Sequence, residues 1–85
     1  MENLSIYRKR LLYQSQHRGM REMDLLLGEF GKKVLSMEQA ELETFEFLLS
    51  FPDQTLYSLF FDNGPLPEGV SKSLVNELHR FKKVL

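Results

Sequence analysis

Apolar residues recur along this 85-residue chain at intervals of three and four, and strand-like alternation never persists. From about Asn3 to Gln16, Leu4, Tyr7 and Leu11 share one stripe with Leu12 beside it, and Asn3 is a candidate N-cap. The pattern breaks around Arg18 and Gly19, then resumes with Met20, Met23, Leu27, Phe30 and Val34, flanked by Leu26. A third helix is expected to open at Ser36, three residues before Gln39 in capping-box spacing, and to carry Ala40, Leu42, Phe45, Leu48 and Leu49. Pro52 and Asp53 stop it and begin a short fourth helix with Leu56, Leu59, Phe60 and Phe61, which Asn63-Gly64-Pro65 ends. Ser71 is the candidate cap of a last helix carrying Leu74, Leu78, Phe81 and Leu85, with Val75 adjacent. The reading is an all-α, small single-domain bundle of five short helices over residues 1–85, whose short connections favour antiparallel neighbours.

Composition narrows the chemistry available to such a bundle. A chain of this length removes about two-thirds of its unfolded surface from water, which favours binding over a deep, walled active site. Seven Phe, three Tyr and four Met supply core volume, each large apolar side chain contributing about 1.5–3 kcal/mol when buried. The absence of Cys removes disulfides, thiolate zinc sites and a Cys nucleophile, and two His without a carboxylate cluster make a catalytic metal a poor fit. The longest strictly apolar runs are three residues, such as Leu25–Leu27 and Leu59–Phe61, against roughly 20 needed to span a bilayer, so no membrane insertion is expected. The first thirty residues contain Glu2, Glu22 and Asp24 and no apolar stretch ending in a small-residue cleavage site. The expected location is therefore cytoplasmic, in a bacterium, with an already processed organellar protein as the other fit.

The formal charge of −1 conceals three blocks. Residues 1–36 carry seven basic and four acidic side chains, residues 37–70 none and seven, and residues 71–85 four and one. Such blocks either attract one another within the fold or steer a partner of complementary charge. Nucleic acid is not an expected partner, because the basic residues are split and no recognition fingerprint is present.

The junction of the first two helical patterns is the unusual stretch. Gly19 there can take a positive φ or admit a close backbone, Arg18 and Glu22 stand four apart, and Glu22 falls in a first helical turn where a carboxylate is favoured. A turn glycine, an exposed ion pair and a dipole-stabilising acid would account for these residues without any partner.

The run from Leu12 to Phe30, LYQSQHRGMREMDLLLGEF, resembles the succinate dehydrogenase flavinylation and assembly factor family, whose hallmark is Arg-Gly-x-x-Glu; Arg18, Gly19 and Glu22 match it residue by residue. The likeness continues through Leu42, Phe45, Leu48 and Leu49, the short helix from Leu56 to Phe60, and the Gly64-Pro65 turn. His17 stands where the family often has Arg, and Leu59 and Asp62 stand where it often has Trp and Gly. The resemblance implies a five-helix, non-enzymatic chaperone that binds the flavoprotein subunit of succinate dehydrogenase, and often that of fumarate reductase. It implies promotion of covalent FAD attachment to that subunit; separately, the sequence has no Gly-x-Gly-x-x-Gly phosphate fingerprint, so no tight FAD site is expected on the factor itself. On that reading partner binding is expected at the motif residues Arg18, Gly19 and Glu22 and at Arg21, with Asp24 extending an acidic edge and His17 beside them. The expected functional form is a monomer.

Two other readings compete. An enzyme could use Ser15, His17 and Glu22 as nucleophile, base and orienter, although residues two apart on a helix diverge. A regulatory module, antitoxin-like or cytoskeleton-binding, would use the same exposed surface.

Overall fold

A computed structural model describes residues 3–85; Glu2, counted among the acids above, lies outside them. Helix α1 runs over Leu4–Gln16, α2 over Arg21–Gly31, α3 over Gln39–Leu49, α4 over Asp53–Phe61 and α5 over Lys72–Lys82. A 3₁₀ turn, Lys32–Ser36, prolongs α2, so Val34 is buried just past the α-helix rather than within it. No strand occurs among the described residues. The all-α, five-helix expectation therefore holds.

Side chains cap three of the five helix N-termini. Asn3 Oδ1 accepts the Ile6 N–H at 2.8 Å, and Ser71 Oγ accepts the Leu74 N–H at 3.2 Å, so both expected caps form. The expected cap at Ser36 does not. Its hydroxyl turns back to the Lys33 carbonyl at 3.0 Å, and Glu38 and Glu41 form the capping box two residues later. At the end of α4 it is Asn63, not Gly64, that takes the positive φ, 53°.

Burial follows the 3.6-residue stripes. Tyr7 and Leu11 of α1, Met23, Leu26, Leu27 and Phe30 of α2, Leu42, Phe45, Leu48 and Leu49 of α3, Leu56, Leu59 and Phe60 of α4, and Leu74, Val75 and Leu78 of α5 form one apolar cluster. Two expected members leave it: Ala40 is exposed, and Leu85 is 51% exposed beyond the end of α5. Helix α1 packs on α2, on the 3₁₀ turn and on α3, while α2 also touches α4 and α5. The α1–α2 crossing is close because Gly31 faces Ser15; a Cβ at Gly31 would stand 2.9 Å from Ser15 Cβ and overlap its hydroxyl.

The charge blocks meet inside the fold. Arg8 donates through Nε and Nη2 to the Met37 carbonyl at 2.9 and 2.7 Å, Arg10 pairs with Glu46 at 2.8 Å, and Arg18 pairs with Asp53 at 2.8 Å. Amino-terminal cations are thus spent on the acidic middle of the chain, the internal of the two roles open to the charge pattern.

The candidate docking corner

Helix α1 ends where His17 leaves the helical region; its Nδ1 lies 2.8 Å from the Tyr13 carbonyl, and its exposed ring stacks on Tyr13 at 4.0 Å. The chain then turns through Gly19, at φ +90°, into α2. A side chain on Gly19 would meet nothing within 4 Å, so the conformation, not space within the fold, favours glycine there. Its outer side is open to an approaching surface.

Arg18 points the other way. Its side chain is 14% exposed and donates from Nε to Asp53 Oδ1 at 2.8 Å, from Nη1 to the Leu49 carbonyl at 2.6 Å and from Nη2 to the Phe51 carbonyl at 2.7 Å. The resemblance assigns this arginine to partner contact; the structure commits three of its five N–H donors within the fold. The exposed Arg18–Glu22 ion pair that the spacing allows is not made, because Asp53 holds the guanidinium. Half-buried Asp24 is also engaged within the fold: its Oδ1 accepts the backbone N–H of Arg18 at 2.6 Å and of Gly19 at 3.3 Å.

Arg21 and Glu22 present themselves differently. Both are exposed, and neither side chain has an ion pair or hydrogen bond among the described residues. Leu25, one helical turn on and 55% exposed, shares their face. Met23, between them, is fully buried and anchors the turn to the core. The corner thus alternates anchors (Arg18, Met23, Asp24) with presented groups (Gly19, Arg21, Glu22, Leu25). Leu25 was legible in principle, since 100° per residue sets it apart from Leu26 and Leu27 and beside Arg21 and Glu22.

Beside the corner, an open groove of about 620 Å³ runs between the end of α1 and the α3–α4 junction, lined in part by Tyr13, His17, Glu46, Leu49 and Asp53. At its edge the Tyr7 hydroxyl donates to Glu46 Oε1 at 2.7 Å while Arg10 holds Oε2 at 2.8 Å. Burial, and then the bond to Glu46, push the Tyr7 phenol up to about 12. The same bond, aided by Arg10, holds the Glu46 carboxyl below its usual range against the opposing effect of burial.

The three groups of the enzyme reading do not assemble. Ser15 is fully buried against Gly31 and donates to the Leu12 carbonyl at 2.8 Å, His17 is bonded to its own helix, and Glu22 is exposed without a partner among the described residues. No group of three His, Asp or Glu side chains is placed to hold a metal among the described residues.

Comparison with known proteins adds the family. Residues 9–82 match the family model described as the flavinator of succinate dehydrogenase. Relatives named succinate dehydrogenase assembly factor 2, mitochondrial, include one from Debaryomyces hansenii, 40% identical over 81 residues, covering 91% of this chain and 57% of the relative. Another from Scheffersomyces stipitis is 44% identical over 71 residues (79% and 48%), and one from Danio rerio 38% identical over 85 residues (96% and 54%). The chain spans about half the length of these relatives. Their names overturn the cytoplasmic expectation and point to the mitochondrion. That expectation rested on the composition of the first thirty residues.

Proposed function

This chain belongs to the succinate dehydrogenase flavinator family, and from that membership and the exposed corner we propose that it binds the flavoprotein subunit of succinate dehydrogenase and promotes covalent attachment of FAD to it. The bond-forming chemistry belongs to the subunit and its flavin. The chain acts as a chaperone, without a catalytic group of its own and without tight FAD binding, by holding a mobile part of the subunit so that the reacting atoms are aligned. It docks as a monomer, and the flavoprotein subunit of fumarate reductase is a second client.

The observation that carries this reading is the pair of charges, Arg21 and Glu22, that have no partner among the described residues, beside an open Gly19 on a corner that Arg18, Met23 and Asp24 anchor. Gly19 admits close backbone contact, Arg21 pairs with a carboxylate or carbonyl of the client, and Glu22 accepts its N–H donors. Leu25 adds apolar area on the same face, and His17 borders it. Titration calorimetry with each purified flavoprotein subunit tests the reading. Saturable one-to-one binding, weakened at least tenfold by Glu22→Ala, is the expected result. No heat of association with the succinate dehydrogenase subunit would refute it.

A further inference from the structure

Arg18 is gripped at both ends. Asp24 holds its backbone N–H together with that of Gly19, while Asp53 and the carbonyls of Leu49 and Phe51 hold its guanidinium. Leu49 is the last residue of α3, where helix carbonyls lack an intrahelical partner, and Asp53 is the first of α4, where a carboxylate faces unpaired amides. One side chain therefore closes the α3–α4 corner and fastens the α1–α2 corner to it. The two carboxylates are spent on this fastening: Asp53 is 26% exposed and lies against Arg18, and Asp24 faces the loop amides.

We propose that Asp24 and Asp53 are positioning residues for docking: through Arg18 and the Gly19 amide they fix the left-handed turn and the first turn of α2, so that Gly19, Arg21, Glu22 and Leu25 meet the client as a preset array. The proposal rests on the reading that this corner is the docking surface. A glycine turn between two helices has several accessible conformations when its amides are unheld, and each that must be abandoned on binding weakens association. Asp24 removes that freedom at the amides. Asp53 removes it by tying the arginine to a separate part of the core. The arrangement separates two jobs within one motif: Arg18 fastens, while Gly19 and Glu22 are presented.

The test compares Asp24→Asn and Asp53→Asn with Val75→Ala, which trims the buried face of α5 away from the fastening. Two quantities are read: amide hydrogen exchange at Gly19 in the free chain, and the dissociation constant for the purified succinate dehydrogenase flavoprotein subunit. The Asn variants are expected to speed Gly19 exchange and weaken docking by about tenfold, whereas Val75→Ala lowers thermal stability with docking unchanged. Should Asp24→Asn fail to fold, the Asp53→Asn arm decides. Asn variants that dock as tightly as the native chain overturn the proposal alone. So does a Val75→Ala chain weakened to the same degree, because docking would then track stability. A native chain that does not bind overturns the proposed function and this proposal with it.

Discussion

Gly31 of α2 faces the fully buried Ser15 of α1 so closely that a methyl group at residue 31 would occupy the space of the serine hydroxyl. Helix separation at this crossing is set by the missing side chain. Gly31→Ala is expected to cost about 1–3 kcal/mol, even though alanine is the better helix former, because overpacking outweighs propensity. In a domain of this size that corresponds to a fall in thermal midpoint of roughly 4–8 °C per kcal/mol, read by circular dichroism. An unchanged or raised midpoint would show that the crossing relaxes freely.

The Tyr7–Glu46 pair gives the fold a pH signature. Because the folded Tyr7 pKa is raised from 10.0 to about 12, its contribution is full below pH 10 and is lost as pH rises toward 12. Glu46, lowered from 4.5, contributes stability above that value, which is lost as pH falls through its folded pKa. Urea midpoints of the native chain should therefore fall more steeply than those of Tyr7→Phe between pH 10 and 12. Tyr7→Phe should also flatten the acid limb, since the phenol is the largest cause of the Glu46 shift. Parallel curves for the two proteins would contradict the pairing.

Leu25 and Leu26 are neighbours in sequence with opposite expected phenotypes. Leu26 is fully buried, and truncation to Ala should cost about 2–5 kcal/mol. Leu25→Ala should change stability by no more than about 0.5 kcal/mol while weakening docking to the flavoprotein subunit. Chemical denaturation and calorimetry on the two variants separate these effects; native affinity in Leu25→Ala would remove that residue from the docking face.

Gly19→Trp should cost about 1–3 kcal/mol for placing a side chain at φ +90°, with no internal clash to add to it. The helical spectrum should survive and docking should be abolished. Native binding with an intact spectrum would refute close approach at Gly19.

Helix number, stripes and two caps were legible in the sequence because they depend on residues within a turn of one another, as Asn3 with Ile6 and Ser71 with Leu74. Ser36 misled because two capping signals overlap, and the Glu38–Glu41 pair satisfies the amides of α3 while the serine finds its own carbonyl. The motif itself was legible, but the direction of Arg18 was not. Its partners lie 31 to 35 residues away, and two of them are backbone carbonyls, which leave no residue-type signature. The hold of Asp24 on the turn has no sequence signature for the same reason: only the folded turn brings the amides of Arg18 and Gly19 to it.

The most direct test is covalent flavin incorporation into a co-expressed succinate dehydrogenase flavoprotein subunit, read as in-gel flavin fluorescence with this chain absent, native, or carrying Glu22→Ala. Glu22 is exposed and has no partner among the described residues, which predicts that the variant folds like the native chain. Incorporation should rise with the native chain and return to the chain-free level with the variant. Equal fluorescence in all three samples, under conditions where attachment is incomplete, would contradict the account and favour a regulatory role for the same surface.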